Sequence, residues 1–558
     1  GGFTNCAKGL HSSVLGGTLN EACCTCSTAV GGRLNHAHGK LSTTVGGDSN
    51  CAQGDYSFVG GGFCNVAAGL SAAIVGGYKN AASGGAGFIG GGRENTAGTG
   101  TSTVVGGGCN NTASANWATV AGGRSNTASG LSAFIGGGTS NTATGIGAVI
   151  GGGFSNDVTT DCSTIAGGDL SQISTGTHGF IGGGENNCVD DNYGTVGGGV
   201  SNTASGKSAT IGGGNSNEAE GCCSTIAGGA SNCASECHTV VGGGLSNNAS
   251  ACCAAILGGQ SNAASQCWTG IVAGKGNAAS GIYSTIGGGE YNTASGRGSF
   301  IGGGGRNQVI SLSSVVGGGT LNYICGPYGT VAGGNTNCVK VTYGTVGGGQ
   351  SNTVGGASCA HAFIGGGQSN TTSKDHAVIV GGKSNTGSGD QSAIVGGCAH
   401  TSSGDKSFVG GGCGNTAGSG AYAVVVGGDA STASGTCSFV GGGNTNTASG
   451  NNSAIVGGST GTVAGACSFV GAGYLNQSSG ANAGVMTGCG NRSCGACSFV
   501  GGGKGNCTIT GTHTTIVGGT SNCIEGTNPN YSSIGGGQSN CICGAAHASA
   551  VGCLNTAE

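Results

Sequence analysis

The sequence predicts an all-β protein built as a parallel β-solenoid. Three observations predict it: a strict asparagine period, 135 glycines in 558 residues, and a charged fraction of only 6%. Asn5, Asn20, Asn35, Asn50, Asn65, Asn80 and Asn95 stand 15 residues apart. Asn111, Asn126, Asn141 and Asn156 resume after a one-residue slip. Asn202, Asn217, Asn232, Asn247, Asn262, Asn277 and Asn292 carry the series onward. A repeat this regular outranks any other reading of the chain. At 15 residues per unit, the 558 residues make about 37 coils.

Composition excludes the competing classes. There is no Gly-X-Y period and only two prolines, which rules out collagen. So little charge rules out a disordered polyelectrolyte. Glycine at this density opposes helices, at about 1 kcal/mol per position relative to alanine. The net charge is -4 and no basic patch stands out, so no nucleic-acid partner is expected. Apolar runs such as Ala423-Val424-Val425-Val426 are far too short to span a bilayer, so no membrane insertion is expected.

The unit Asn126–Ser140 shows the elements in order. Asn-Thr-Ala-Ser opens it as a short strand with alanine on one face. Ser-Ala-Phe-Ile follows as a second strand with isoleucine on one face. The Ser-Gly and Gly-Gly-Gly segments are expected at the corners, supplying positive φ. Coils of this kind stack in register about 4.8 Å apart, so about 37 of them predict a rod roughly 180 Å long. Ile211, Ile226, Val241, Ile256, Ile271, Ile286 and Ile301 recur nine residues after the asparagine and are the expected core ladder. The asparagines from Asn202 to Asn292 are the expected structural ladder, because stacked amides satisfy one another. Phe134, Phe300, Phe408, Phe439, Phe469 and Phe499 adjoin the core position and must face outward. An outward aromatic column predicts association between chains, most simply as a homotrimer.

The array reads as one continuous domain over residues 1–558, with loop or bulge insertions near 157–186, 353–369 and 507–539. The chain opens at the end of one coil and closes at the start of another. Open solenoid edges invite pairing. Further chain, a partner, or end-to-end stacking of further copies is therefore expected.

The chain has 31 cysteines. Cys222, Cys237, Cys252 and Cys267 occupy one position in four successive coils. Stacking would set their Cα atoms about 4.8 Å apart, inside the roughly 4.4–6.8 Å disulfide range. They read either as a disulfide ladder, within or between chains, or as small apolar filler. Chemistry-bearing motifs dissolve into the repeat. Cys494-Gly-Ala-Cys497 has no second CxxC at zinc spacing. His36-Ala-His38 stands isolated and reads as a solvated loop. Gly501-Gly-Gly-Lys504 lacks the serine or threonine and the helix of a phosphate loop. No carboxylate pair or Ser/His/Asp set stands out, so no enzyme, cofactor or metal is expected. Asn-x-Ser/Thr triplets begin at Asn110, Asn248, Asn370, Asn451, Asn476, Asn491, Asn506 and Asn530.

Val105-Gly-Gly-Gly, Ser125-Asn-Thr-Ala-Ser-Gly130 and Ser299-Phe-Ile-Gly-Gly-Gly304 resemble the head repeats of YadA-like trimeric autotransporter adhesins. They also resemble the Gly-Gly-Gly-x-x-Asn-Thr-Ala-Ser-Gly arrays in fibre proteins of large DNA viruses and phages. The resemblance implies a left-handed β-roll that trimerises and binds surfaces. The functional expectation is thus a structural or adhesive fibre, extracellular or on a virion surface. It would attach to cell-surface glycans or a protein receptor by multivalent presentation. The alternative is a self-assembling extracellular filament without receptor binding. An ice-binding solenoid and a glycan-degrading tailspike are further readings.

Overall fold

A computed structural model describes residues 2–356, 360–544, 546–553 and 556–557. Among these residues there is no helix. The chain forms two units, Gly1–Gly276 and Asn277–Glu558. Each is a β-solenoid of coils about 15 residues long, with about 36 turns in the two units together.

Nearly every strand is two residues long. In the first unit Thr112 pairs with Thr127 and Ala113 with Ala128, while Thr119 pairs with Phe134 and Val120 with Ile135. In the second unit Thr416 pairs with Thr432 and Phe408 with Val424. All of these ladders are parallel and in register, so each coil presents the same position of the repeat at the same place as its neighbour. A third ladder was not foreseen from the sequence. Single residues just before each ladder asparagine, such as Arg33 with Asp48 and Gly305 with Thr320, bridge adjacent coils in parallel. Each coil therefore has three hydrogen-bonded columns rather than two.

Inward residues make a thin, dry core. Ala128, Ala133 and Ile135 are fully buried, and so is Asn126. The expected core ladder from Ile211 to Ile301 is buried throughout. The asparagines close the backbone accounting of the core. The Asn126 amide nitrogen donates to the carbonyl oxygens of Gly122 and Gly138, each at 3.0 Å. Its Oδ1 accepts the backbone N–H of Asn141, also at 3.0 Å. One side chain thus ties its own coil to the next. Asn202, Asn217, Asn232, Asn247 and Asn292 repeat the pattern, each Nδ2 donating to two glycine carbonyls. Asn262 donates to Gly258 and Gly274, and Asn277 to Gly289.

The ladder continues through coils of unequal length. Oδ1 of Asn352 accepts from the backbone of Asn370, 18 residues on, and Asn522 does the same for Asn540. Of the stretch 353–369, residues 357–359 lie outside the described residues. Where the asparagine is missing, another acceptor stands in. Ser431 Oγ receives the Asn446 N–H, and His400 Nδ1 receives the Asn415 N–H at 3.0 Å.

The corners differ from expectation in one respect. Gly130, in the Ser-Gly segment, does not have positive φ. It is glycine because an added Cβ would lie 1.9 Å from the Gly145 carbonyl oxygen of the next coil. The positive-φ residues nearby are Ser132 (φ 58) and Ser125 (φ 55), and histidine, tyrosine, cysteine or leucine fills these places in other coils. Only the last of the three glycines, Gly138 (φ 87), combines positive φ with a crowded site.

Candidate functional surfaces

Alternation along two-residue strands gives every coil two outward faces of different chemistry. The outward face of the second strand carries no charge. From Ser13 through Phe134 and Phe300 to Ser549, that position holds only serine, threonine, alanine, valine, phenylalanine or glycine. Phe134 is 40% exposed and Phe300 41%. Phe408, Phe469 and Phe499 are half-buried in the same column.

The next outward position, two residues on, compensates in volume. Each phenylalanine of this column is followed by glycine there: Phe58 by Gly60, Phe134 by Gly136, Phe300 by Gly302, Phe439 by Gly441. The ring lies over the glycine, so an added Cβ at Gly60 would sit 3.3 Å from the Phe58 ring and one at Gly441 3.4 Å from the Phe439 ring. Where the first position is small, the second is large and exposed: Ala73 with Val75, Ala255 with Leu257, Gly484 with Met486. The compensation is not uniform, since Thr195 is followed by Gly197 and Val424 by Val426. The result is an uncharged face of apolar and hydroxyl side chains. Each coil adds roughly 50 Å² to it, taking a 4.8 Å rise and about 10 Å of width. About ten coils therefore pass the few hundred Å² beyond which apolar patches mark interaction sites.

The outward face of the first strand is polar and mixed. It carries Glu21, His36, Asp157, Glu218 and Arg492 among many threonines and cysteines. One stretch is uniform: Thr353, Thr371, Thr386, Thr401, Thr416, Thr432, Thr447 and Thr462 stack in register over eight consecutive coils. At the exposed corner after this strand, aromatic rings stack coil upon coil. Tyr328, Tyr343, His361 and His376 follow one another at centroid distances of 5.0, 4.8 and 5.1 Å.

No protein-family model matches this chain, and no curated protein matches it. The likeness to adhesin heads rests on the motifs alone. Among the described residues, no helix is long and apolar enough to cross a membrane.

The four cysteines read as a ladder do stack, since the backbone N–H groups of His238, Cys253 and Trp268 donate to Cys222, Cys237 and Cys252. They stand there as thiols. Each of Cys222 and Cys252 has its immediate chain neighbour as its nearest sulfur contact, at 3.6 and 3.5 Å. Among the described residues one coil-to-coil disulfide forms, Cys398–Cys413 in the third ladder, with Cα atoms 4.7 Å apart. Cys494 sits against Cys507 of the next coil, and that contact with burial pushes its thiol pKa up.

Burial also divides the glycosylation triplets. Asn370, Asn476, Asn491 and Asn506 are fully buried ladder residues, closed to a glycan. Asn110, Asn248 and Asn451 are exposed.

Two groupings escaped the sequence reading although the period contains them. Asp375, Asp390 and Asp405 are spaced 15 apart, and they line one shallow depression with Lys374. Asp375 accepts the Ala360 N–H of the preceding coil at 2.6 Å and Asp405 the Asp390 N–H at 3.1 Å. His36 is not in a loop. It lies on the strand His36–Ala37, one coil after Glu21, and His38 follows on the same face. The signal was Glu21 standing 15 residues before His36.

Proposed function

We propose that this protein is a structural fibre protein whose copies pack laterally through the uncharged, phenylalanine-bearing face. The fold fits a structural role, being two units of coils that repeat one pattern. The uncharged column of exposed phenylalanines and valines carries the reading. A contiguous, largely apolar patch of this extent marks an interaction surface. The occupant is another copy of this chain. The columns repeat at the coil spacing, which a copy shares, and neither column carries a charge that would lack a partner. A homotrimer lets three copies bury the same face about one axis, as the resemblance to adhesin heads implies.

The polar columns remain outward in such an assembly. Serine, threonine and asparagine repeated on every coil offer many similar weak hydrogen-bonding sites, which suits multivalent attachment to cell-surface glycans or a protein receptor. Display outside the cell or on a virion surface goes with that role. A self-assembling filament without receptor binding uses the same packing. The proposal needs no catalytic step.

Sedimentation of the full chain tests it. The trimer mass is expected for the native sequence, and the monomer mass for Phe134→Asp/Phe300→Asp/Phe439→Asp with an unchanged circular dichroism spectrum. A native monomer would overturn the proposal. The eight-coil threonine column favours one second reading, ice binding, because a flat regular row of hydroxyl and methyl groups can order water. Thermal hysteresis lost in Thr416→Lys/Thr432→Lys would favour it, and no hysteresis in the native protein would exclude it.

A further inference from the structure

We propose that Glu21, His36 and His38 form a binding site for a divalent zinc-class cation. Two histidines separated by one residue on a strand face the same way, and the residue between them, Ala37, is fully buried. The parallel register sets Glu21 directly against His36 and Ala22 against Ala37. The three side chains thus converge from two adjacent coils. Oε2 of Glu21 lies 3.3 Å from His36 Nδ1 and 3.3 Å from His38 Nε2. All three ligand atoms lie within 4.8 Å of one another. Zinc binds nitrogen and oxygen at about 2.0–2.1 Å in tetrahedral sites, which places neighbouring ligand atoms roughly 3.3 Å apart. Two of the three edges already have that length.

The remaining chemistry is consistent. Lys8 holds the other carboxylate oxygen, Oε1, and so orients Oε2 toward the imidazoles. Such a partner to a ligating carboxylate is the usual support of a metal site. The three residues are half-buried, so ligands are partly held in place yet open to an ion. Half-buried thiols of Cys23 and Cys51 flank the site on the coils before and after, and water or one of these completes four-coordination. Imidazole with carboxylate suits zinc, copper and nickel rather than calcium or magnesium. The same construction recurs at Glu525, Cys541 and Cys543, where two outward ligands on one coil meet a glutamate from the coil before.

Equilibrium dialysis of the metal-free full chain against Zn²⁺ tests the proposal. Thiols elsewhere also take zinc, so the comparison is with His36→Thr/His38→Ser, whose new residues the repeat already places at these positions. The native chain is expected to hold one more zinc ion per chain than this variant. Glu21→Gln, which keeps the volume, is expected to weaken that ion's binding by about 10–100-fold. Co²⁺ substituted for Zn²⁺ should show a tetrahedral d–d band that the double variant loses. Circular dichroism reports whether each variant keeps the solenoid, and Glu21→Gln serves as the test if the double variant does not. Equal zinc stoichiometry in the native chain and the folded double variant, or an unchanged affinity in Glu21→Gln, would overturn the proposal, leaving Glu21 a partner of Lys8 and the two imidazoles only.

Discussion

At the scale of the residue, one asparagine does the work that several residues share in other folds. Its Oδ1 caps the next coil's N–H, and its amide caps one glycine carbonyl of its own corner and adds a second hydrogen bond to one of the next coil. Replacing Asn217 by alanine would orphan the Asn232 N–H and the Gly213 carbonyl, while the Gly229 carbonyl keeps the Asn215 N–H. A buried polar group left unpaired costs about 1–3 kcal/mol. Asn217→Ala is therefore expected to speed hydrogen exchange in the coils on either side of it. Asn217→Asp should be worse, because a second carboxylate oxygen would face those carbonyl lone pairs. His400 gives the same ladder a pH dependence. Its Nδ1 accepts the Asn415 N–H, so the ring must be unprotonated there, and burial holds its pKa below the ordinary 6.5. As pH falls through 6.5, the unfolded chain takes up the proton first. The local contribution to stability is thus complete above 6.5 and declines as the pH drops below it. Hydrogen-exchange protection factors near residues 385–415, corrected for the intrinsic pH dependence of exchange, should fall from pH 7.5 to pH 5, and His400→Asn should abolish that change.

At the scale of the element, the coil explains which glycines are required. Gly130 needs no special φ, but its neighbour's carbonyl fills the space a Cβ would take. Gly137, two residues into the triple glycine, has nothing within 4 Å of an added Cβ and no positive φ. Gly130→Ala is therefore expected to lower the melting temperature through a backbone clash worth about 1–3 kcal/mol. Gly137→Ala should leave it unchanged or raise it slightly, since alanine narrows the unfolded ensemble. Equal melting shifts for the pair would contradict this account. The period, the strands and the core positions were legible in the sequence, because side-chain alternation and a fixed repeat follow directly from the stacking. The third ladder was not, since its residues (Arg33, Asp48, Thr139 and Gly305 among them) share no composition and what recurs from coil to coil is their backbone bridge.

At the scale of the whole molecule, the two outward faces divide the labour. One carries no charge; charged side chains fall on the first-strand face, and on the third ladder as well, as Arg33 and Asp48 do. Lateral packing through the uncharged face predicts that association survives high salt, because it uses no ion pairs. Sedimentation at low and at 1 M salt should give the same assembled mass, and dissociation at high salt would argue for contact through the charged face instead. The phenylalanine column was legible as outward-facing from its place beside the core residue. The matching glycines were hidden within the general abundance of glycine, and only ring positions over Gly60 and Gly441 separate them from the corner glycines.

The sequence by itself determined the coil, its length, its core and its asparagine ladder, because these depend on contacts that recur every 15 residues. Tertiary structure alone decided which residues meet at the surface. Stacking turns a separation of 15 residues into direct contact, so Glu21 reaches His36 and His38, and Cys398 reaches Cys413. Which pairs then touch, bond or stay apart depends on side-chain direction at each column. That direction is set by backbone geometry at the corners, where serine, histidine and tyrosine take the left-handed conformation that the sequence reading had assigned to glycine.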